Sequence, residues 1–245
     1  GASVSSAGDV DGDGLDDLII GAFGNDDGGP AAGKTYLFLG STVASGGTFA
    51  LSLADAAFVG ETAGDASGWS VASAGDVDGD GLDDVLIGAF GNDDSGSNAG
   101  KTYLFLGSTV ASSGTLDLNQ ADVTFVGEAA EDRSGTCVSS AGDVDGDGLD
   151  DVLIGANLND GSGLNAGKTY LFLGSSLPSG GMLALNQADT VFVGENAGDQ
   201  SGWSASSAGD VDGDGLDDVL IGAKRNGDGG PAAGKTYLFL GSTVA

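Results

Sequence analysis

The pattern of apolar and polar positions recurs every 67 residues along the chain, and it predicts β-strands throughout. In the second repeat a short stretch of small residues, 70–74, comes first, and an apolar run, 84–89, follows it. A second apolar run, rich in aromatic residues, occupies 101–107, and a shorter one occupies 124–127. No segment shows the sustained 3.6-residue spacing of an amphipathic helix, so each repeat is predicted to form short strands joined by turns and loops.

The two longer strands of each repeat are apolar on both faces, so both faces must be covered. One repeat cannot supply that cover alone, and stacked repeats can. We therefore expect an all-β fold, a β-propeller built of four-stranded antiparallel blades, as a single domain over residues 1–245. The small residues of the first strand suit a crowded innermost position. The repeats span 1–67, 68–134, 135–201 and 202–245, and the last blade is expected to lack its outer strand in this chain, because no Phe-Val-Gly-Glu follows its third strand.

Each repeat carries the same nine residues, Asp-Val-Asp-Gly-Asp-Gly-Leu-Asp-Asp, between its first and second strands, beginning at Asp9 in the first repeat. Carboxylates this close repel one another, so an ordered loop needs a compensating cation. Oxygens at positions 1, 3, 5, 7 and 9, with Gly at position 6 for a sharp turn, supply the ligands that Ca²⁺ prefers. An EF-hand would place Glu at position 12, where every repeat has Ile, and would flank the loop with helices. The loop is therefore expected to join two strands.

We expect one Ca²⁺ per repeat, four in all, held by four Asp side chains and the Leu main-chain carbonyl of each loop. Mg²⁺ is a weaker alternative because it demands a smaller octahedron and keeps its waters. A solvated acidic turn without metal is the other alternative. The predicted ligands are Asp9, Asp11, Asp13, Leu15, Asp17, Asp76, Asp78, Asp80, Leu82, Asp84, Asp143, Asp145, Asp147, Leu149, Asp151, Asp210, Asp212, Asp214, Leu216 and Asp218.

The charge of the chain narrows the classes of partner. The formal net charge is -30, and four Ca²⁺ would still leave -22, so neither nucleic acid nor an anionic membrane is expected to bind. No apolar run approaches the roughly 18 residues that would span a bilayer. The chain has no His, and its Ser and Asp residues recur identically in the repeats without a nucleophile and base in distinct settings. We therefore expect no enzymatic activity.

The segment 73–89, Ser-Ala-Gly-Asp-Val-Asp-Gly-Asp-Gly-Leu-Asp-Asp-Val-Leu-Ile-Gly-Ala, resembles the FG-GAP repeats of integrin alpha-subunit propellers and their bacterial relatives. The resemblance covers the whole chain, although Leu39-Gly40 stands where the family has Phe-Gly. It implies calcium in the loop between the first two strands of each blade, and an extracellular or cell-surface role in adhesion and ligand binding. Integrin-type propellers usually have seven blades. Four blades that close alone, part of a larger ring and a ring completed by a second chain therefore remain open.

The sequence thus predicts a calcium-stabilised extracellular structural or adhesive repeat module. The apolar edge at 235–240 is expected either to self-associate or to continue into a longer tandem array. The alternative is a glycan-binding, lectin-type propeller, in which Trp69 and Trp203 would stack on sugars rather than pack between blades. A protein or glycan ligand is expected on the variable loops opposite the calcium loops. Those loops span 24–33, 91–100, 157–167 and 224–234.

Overall fold

The computed structural model describes residues 1–111 and 114–244, which form four consecutive β-sheets, one for each repeat. In each sheet the first strand of the repeat pairs antiparallel with the second, and the second with the third. The first two sheets contain β1 (Ser3–Gly8), β2 (Asp17–Ala22), β3 (Lys34–Phe38), β4 (Ala56–Val59), β5 (Ser70–Gly75), β6 (Asp84–Ala89), β7 (Lys101–Phe105), β8 (Thr115–Asp117) and β9 (Val123–Val126). The chain continues with β10 (Ser134–Gly142), β11 (Asp151–Ala156), β12 (Lys168–Phe172), β13 (Gly181–Ala184), β14 (Thr190–Val193), β15 (Ser201–Gly209), β16 (Asp218–Ala223) and β17 (Lys235–Phe239).

Within residues 1–111 and 114–244, helical structure is confined to single turns that follow the third strand or precede the fourth. The helices are α1 (Gly40–Val43), α2 (Gly107–Val110) and α3 (Gly241–Val244), and the 3₁₀ turns are Leu51–Leu53, Leu118–Gln120, Gly174–Ser176 and Leu185–Gln187. Because these turns are so short, the β-sheets form the scaffold of the fold.

The strand prediction is confirmed, with boundaries shifted by one or two residues. The second strand of repeat two begins and ends where its apolar run does, at Asp84–Ala89, whereas the third strand ends at Phe105 rather than at 107. Both strands are buried at every position, as their two apolar faces require. The fourth sheet has three strands in the described part of the chain, as the sequence predicted.

Successive sheets stack as blades, with their first strands against one another. The contacts run in series from β1 to β5, from β5 to β10 and from β10 to β15. Glycine also allows the second strand to approach the next repeat closely: a Cβ added to Gly21 of β2 would lie 2.0 Å from the carbonyl oxygen of Gly68, just before β5. The expectation that the first strands lie innermost agrees with this arrangement.

The apolar core lies between the blades rather than within any one of them. Each of the three apolar clusters combines residues of two consecutive repeats. At each boundary a Phe of the fourth strand contacts a Phe of the next third strand, with ring centroids 4.8, 4.8 and 4.5 Å apart. The pairs are Phe58 with Phe105, Phe125 with Phe172 and Phe192 with Phe239. A single blade therefore has no complete core of its own.

The sequence prediction missed a fifth strand of the blades, because it treated segments such as 108–123 as connections. Within that segment, β8 pairs in parallel with β4 of the preceding blade. In the next repeat β13 pairs in parallel with β9 in the same way. Two blades are thus extended by a fifth strand that the following repeat supplies, whereas β14 stands at the edge of its sheet among the described residues.

Candidate calcium loops

The last Asp of each acidic loop is the first residue of the second strand and is buried. Asp17 is fully buried and accepts hydrogen bonds from two backbone N–H groups, Val10 at 3.0 Å and Gly40 at 2.7 Å. The second donor belongs to the turn after the third strand, so this carboxylate ties the loop to the rest of its own blade. The same pair of bonds recurs at Asp84, Asp151 and Asp218.

The first Asp of each loop organises the turn. The Asp9 carboxylate accepts backbone N–H groups from Gly12 at 2.8 Å, Asp13 at 3.0 Å and Gly14 at 2.9 Å. Gly12 and Gly14 have φ values of 74° and 85°, a left-handed conformation that glycine adopts without steric cost. The loop therefore winds around its first carboxylate, and the three other repeats keep these contacts.

The structure brings three of the predicted carboxylates together in each repeat, with one oxygen of each within 4.8 Å of the others. In repeat one the group contains the residues at positions 1, 3 and 5, and in the other repeats those at positions 1, 3 and 9. The groups are Asp9, Asp11 and Asp13; Asp76, Asp78 and Asp84; Asp143, Asp145 and Asp151; and Asp210, Asp212 and Asp218. Asp17 lies outside the group of its repeat, as do Asp80, Asp147 and Asp214. The Leu carbonyls at position 7 stay a prediction.

The charge and burial of the carboxylates in these loops are compatible with a bound cation. Among the described residues, no Lys or Arg forms an ion pair with the clustered carboxylates. Burial raises the pKa of Asp84 and of Asp151 to about 7, against the lowering effect of the two backbone N–H donors, and the neighbouring Asp residues raise each pKa further. A buried carboxylate is costly unless it is paired or coordinates a metal. Oxygen donors of this kind, in a loop built on glycines, fit a hard cation such as Ca²⁺.

The eighth residue of the loop has a role that the sequence analysis missed. The Asp83 carboxylate accepts the backbone N–H of Asp9 in the preceding loop at 2.7 Å, and the Asp83 N–H donates to the Asp9 carbonyl at 3.1 Å. Asp150 makes both contacts with Asp76, and Asp217 makes them with Asp143. The signal in the sequence is a fifth Asp that recurs in every loop although the predicted ligand set does not use it.

The variable loops lie at the other end of the second strand, since they join it to the third strand while the acidic loops precede it. Trp69 packs at this end between Phe23 and Phe90, with ring centroids 4.9 and 4.8 Å away. Trp69 therefore packs between two blades, which is one of the two interpretations of this side chain given above. Trp203 is 37% exposed, and the Lys224 ammonium lies 3.3 Å from its ring centroid.

The all-β blades and the acidic loop at the same place in each of them define a repeat propeller of the integrin type. The FG-GAP repeat family model matches residues 1–38, 67–105, 138–172 and 201–239. These matches cover more than half of the chain, so the chain belongs to the FG-GAP repeat family. The resemblance inferred from residues 73–89 is thereby confirmed.

Three relatives are integrin alpha chains. Integrin alpha pat-2 of Caenorhabditis elegans is 30% identical over 239 residues, which cover 91% of this chain and 18% of the relative. Integrin alpha-5 of Xenopus laevis is 31% identical over 68% of this chain and 15% of its own length. Integrin alpha-IIb of Homo sapiens is 32% identical over 60% of this chain and 14% of its own length. The chain thus spans less than a fifth of these relatives. Among its described residues, no helix has the length and apolarity needed to cross a bilayer.

Proposed function

We propose that this chain is a calcium-stabilised, extracellular repeat module with a structural or adhesive role. The observation that supports it is the recurrence, in each of four blades, of three carboxylates within 4.8 Å of one another, with no basic partner among the residues that the structure describes. A bound Ca²⁺ would supply the missing positive charge and join the start of the loop to the start of the second strand. Residues 1–245 would act as one propeller unit.

The proposed ligands are the four Asp side chains at positions 1, 3, 5 and 9 of each loop, with the Leu carbonyl at position 7. Extracellular calcium modules bind with Kd values of about 10⁻⁴–10⁻³ M, which suits millimolar calcium outside the cell. No catalytic step is proposed for this site, because saturated oxygen ligation leaves no open position for a substrate. Calcium here would stabilise structure.

For partners, we propose protein ligands on the variable loops, because exposed loops differ between the repeats while the acidic loops do not. A glycan ligand is the alternative and would use Trp203, since the Trp69 ring packs against both Phe23 and Phe90. Assembly through the β17 edge, either with further copies or with another repeat, is part of the same proposal, because Leu238 in that strand is 50% exposed.

The calcium proposal is tested by thermal unfolding and calorimetric titration of residues 1–245 with Ca²⁺ and with EDTA. We expect about four ions per chain and a higher melting temperature in calcium, since a site filled to 100 times its Kd adds about 2.7 kcal/mol. The Asp11→Asn variant should lose one ion, because Asp11 belongs to the carboxylate cluster of repeat one. Asp16→Asn is the matched control, because Asp16 is in the same loop, exposed and outside the proposed ligand set. An unchanged melting temperature in EDTA, together with no heat of calcium binding, would contradict the proposal.

A further inference from the structure

The turn that follows the third strand has a different sequence in repeat three. In the other three repeats it reads Gly-Ser-Thr-Val-Ala, whereas residues 174–178 read Gly-Ser-Ser-Leu-Pro. In repeat two the Ala111 N–H donates to the Gly107 carbonyl at 2.9 Å and closes a single α-helical turn. Proline has no N–H, so Pro178 cannot make the equivalent bond. The structure has a 3₁₀ turn there instead, Gly174–Ser176.

The side chain that this turn presents to the preceding blade is less well packed than its counterpart. Val110, in the turn of repeat two, is 2% exposed and belongs to the apolar cluster of the first boundary. Leu177 occupies the same position at the second boundary, but it is half-buried and packs against the edge of its cluster. A partly open cavity of about 310 Å³ lies beside Leu177 and Pro178, between the second and third blades.

The wall of this cavity is mainly apolar and comes from both blades. The second blade contributes Leu104 of β7, Val123 of β9 and Leu106, and the third blade contributes Leu149 of its acidic loop. Ligand pockets have volumes of about 300–1,000 Å³, so this cavity is at the small end of their range. At about 30 Å³ for each water-sized group, it has room for a ligand of about ten non-hydrogen atoms.

The charge at the cavity is negative. Asp78, a member of the carboxylate cluster of the second blade, lines the wall, and its side chain is exposed. No Lys or Arg lines the cavity in the part of the chain that the structure describes. The five Asp residues of the 76–84 loop carry a charge of -5, and one bound Ca²⁺ would still leave -3. The site therefore attracts a cationic group and repels an anionic one, with or without calcium.

We propose that this cavity binds a small amphiphilic cation, an organic ligand with an apolar body and an ammonium group. The apolar body lies against Leu104, Leu106 and Val123, and the ammonium group lies beside the Asp78 carboxylate. The hydrophobic effect supplies most of the affinity, and the acidic loop selects the charge. The cavity is at the end of the blades that carries the acidic loops, opposite the variable loops, so this ligand site goes beyond the proposed function and does not depend on it.

The first test titrates residues 1–245, at saturating calcium, with three probes that share one apolar body, a phenyl ring at the end of a four-carbon chain. The probes are phenylbutylamine, phenylbutanol and phenylbutanoate. The NMR resonances of the Leu104, Leu106 and Val123 methyl groups follow binding. We expect saturable binding of one phenylbutylamine per chain. Phenylbutanol should bind about threefold more weakly, because it lacks the charge, and phenylbutanoate should bind more than about tenfold more weakly, because it is repelled.

The second test closes the cavity in two ways. Ser179 is exposed and lines the cavity, so Ser179→Trp places a large ring at its opening. The matched control is Ser45→Trp, because Ser45 is exposed and occupies the same position in the turn of repeat one. The double variant Leu177→Val with Pro178→Ala has the last two residues of the turn of repeat two, so Val should pack as Val110 does.

Both closing variants should weaken the binding of phenylbutylamine more than about tenfold, because the probe loses its apolar contacts. Ser45→Trp should leave the affinity within about twofold of the unmodified chain. Circular dichroism and the melting temperature in calcium check that each variant keeps its fold.

The outcomes separate this site from the calcium module. Saturable binding in the order amine, alcohol, carboxylate, lost in the two closing variants, supports the proposal. Equal binding of the three probes would show that the site does not select a cation, and unchanged affinity in Ser179→Trp would place the probe elsewhere. No saturable shift at millimolar phenylbutylamine would show that the cavity binds no such ligand. Each of these three results overturns the proposal, whereas the effect of calcium on the melting temperature tests the proposed function alone.

Discussion

The Asp83 carboxylate accepts the backbone N–H of Asp9 across the boundary between two blades, at 2.7 Å. Asp9 is the first residue of its acidic loop, and its side chain holds the turn together. The contact therefore links one candidate calcium loop directly to the next. Because it recurs at Asp150 and Asp217, the four loops form a chain of contacts along one end of the blades.

Removing this link should lower stability. Asp83→Ala leaves the Asp9 N–H without its charged acceptor, and we expect a loss of about 1–3 kcal/mol in the free energy of unfolding. Urea denaturation at a fixed excess of calcium measures this loss in the free energy of unfolding. Asp16→Ala is the matched control, because Asp16 occupies the same loop position but is exposed in the first blade; its effect should stay within about 0.5 kcal/mol. Equal losses in the two variants would show that the contact adds nothing.

The two Trp residues should differ in their contribution to stability although they occupy the same position in their repeats. Trp69→Ala removes a ring that packs against both Phe23 and Phe90, so we expect a loss of about 2–4 kcal/mol. Trp203→Ala removes a more exposed ring whose main partner is Lys224, so we expect a loss of about 0.5–1 kcal/mol. Thermal unfolding of both variants in calcium checks the order. A larger loss for Trp203→Ala would contradict the packing argument.

The strands and the acidic loops could be predicted because each has a local signature. A run that is apolar on both faces, such as Asp84–Ala89, specifies a buried strand by itself. The spacing of the Asp residues specifies oxygen donors in the same way. The recurrence of both signatures at 67 residues then indicates stacked blades, which the structure contains.

The fifth strand and the link between loops could not be predicted because both depend on the register of one repeat against another. β8 has three residues, too few to show a period, and its partner β4 belongs to the preceding repeat. Asp83 is chemically identical to the four other Asp residues of its loop. Only the packing of the loops shows that Asp83 faces Asp9 rather than its own loop.

The metal-free chain should lose stability as the pH rises. Burial raises the pKa of Asp84 and Asp151 to about 7 in the folded chain, from a usual value near 3.8. Between those values the folded chain binds more protons than the unfolded chain, so unfolding becomes easier as the pH increases. We expect the melting temperature in EDTA to fall from pH 5 to pH 8.

Calcium, bound as proposed above, should oppose this fall, because it would bind the ionised carboxylates. The stabilisation by calcium should therefore be largest above pH 7 and should decrease towards pH 5. The variant with Asp84→Asn and Asp151→Asn tests the assignment, since in EDTA its melting temperature should depend less on pH between 4 and 7. A pH dependence identical to that of the unmodified chain would assign the effect to other carboxylates.

The glycine that precedes the acidic loop should be required only where a following loop packs on it. A Cβ at Gly75 would lie 2.1 Å from the Asp150 carboxylate, whereas a Cβ at Gly209 would meet nothing within 4 Å. Both residues have positive φ, 76° and 68°, so Ala at either position carries the same backbone strain of about 1–2 kcal/mol. Gly75→Ala should cost about 1–3 kcal/mol more than Gly209→Ala, because it displaces Asp150 from the Asp76 N–H. Urea denaturation of both variants gives the difference, and in an Asp150→Ala background that difference should largely disappear. If it persists there, the steric role of Gly75 does not act through the contact between the loops.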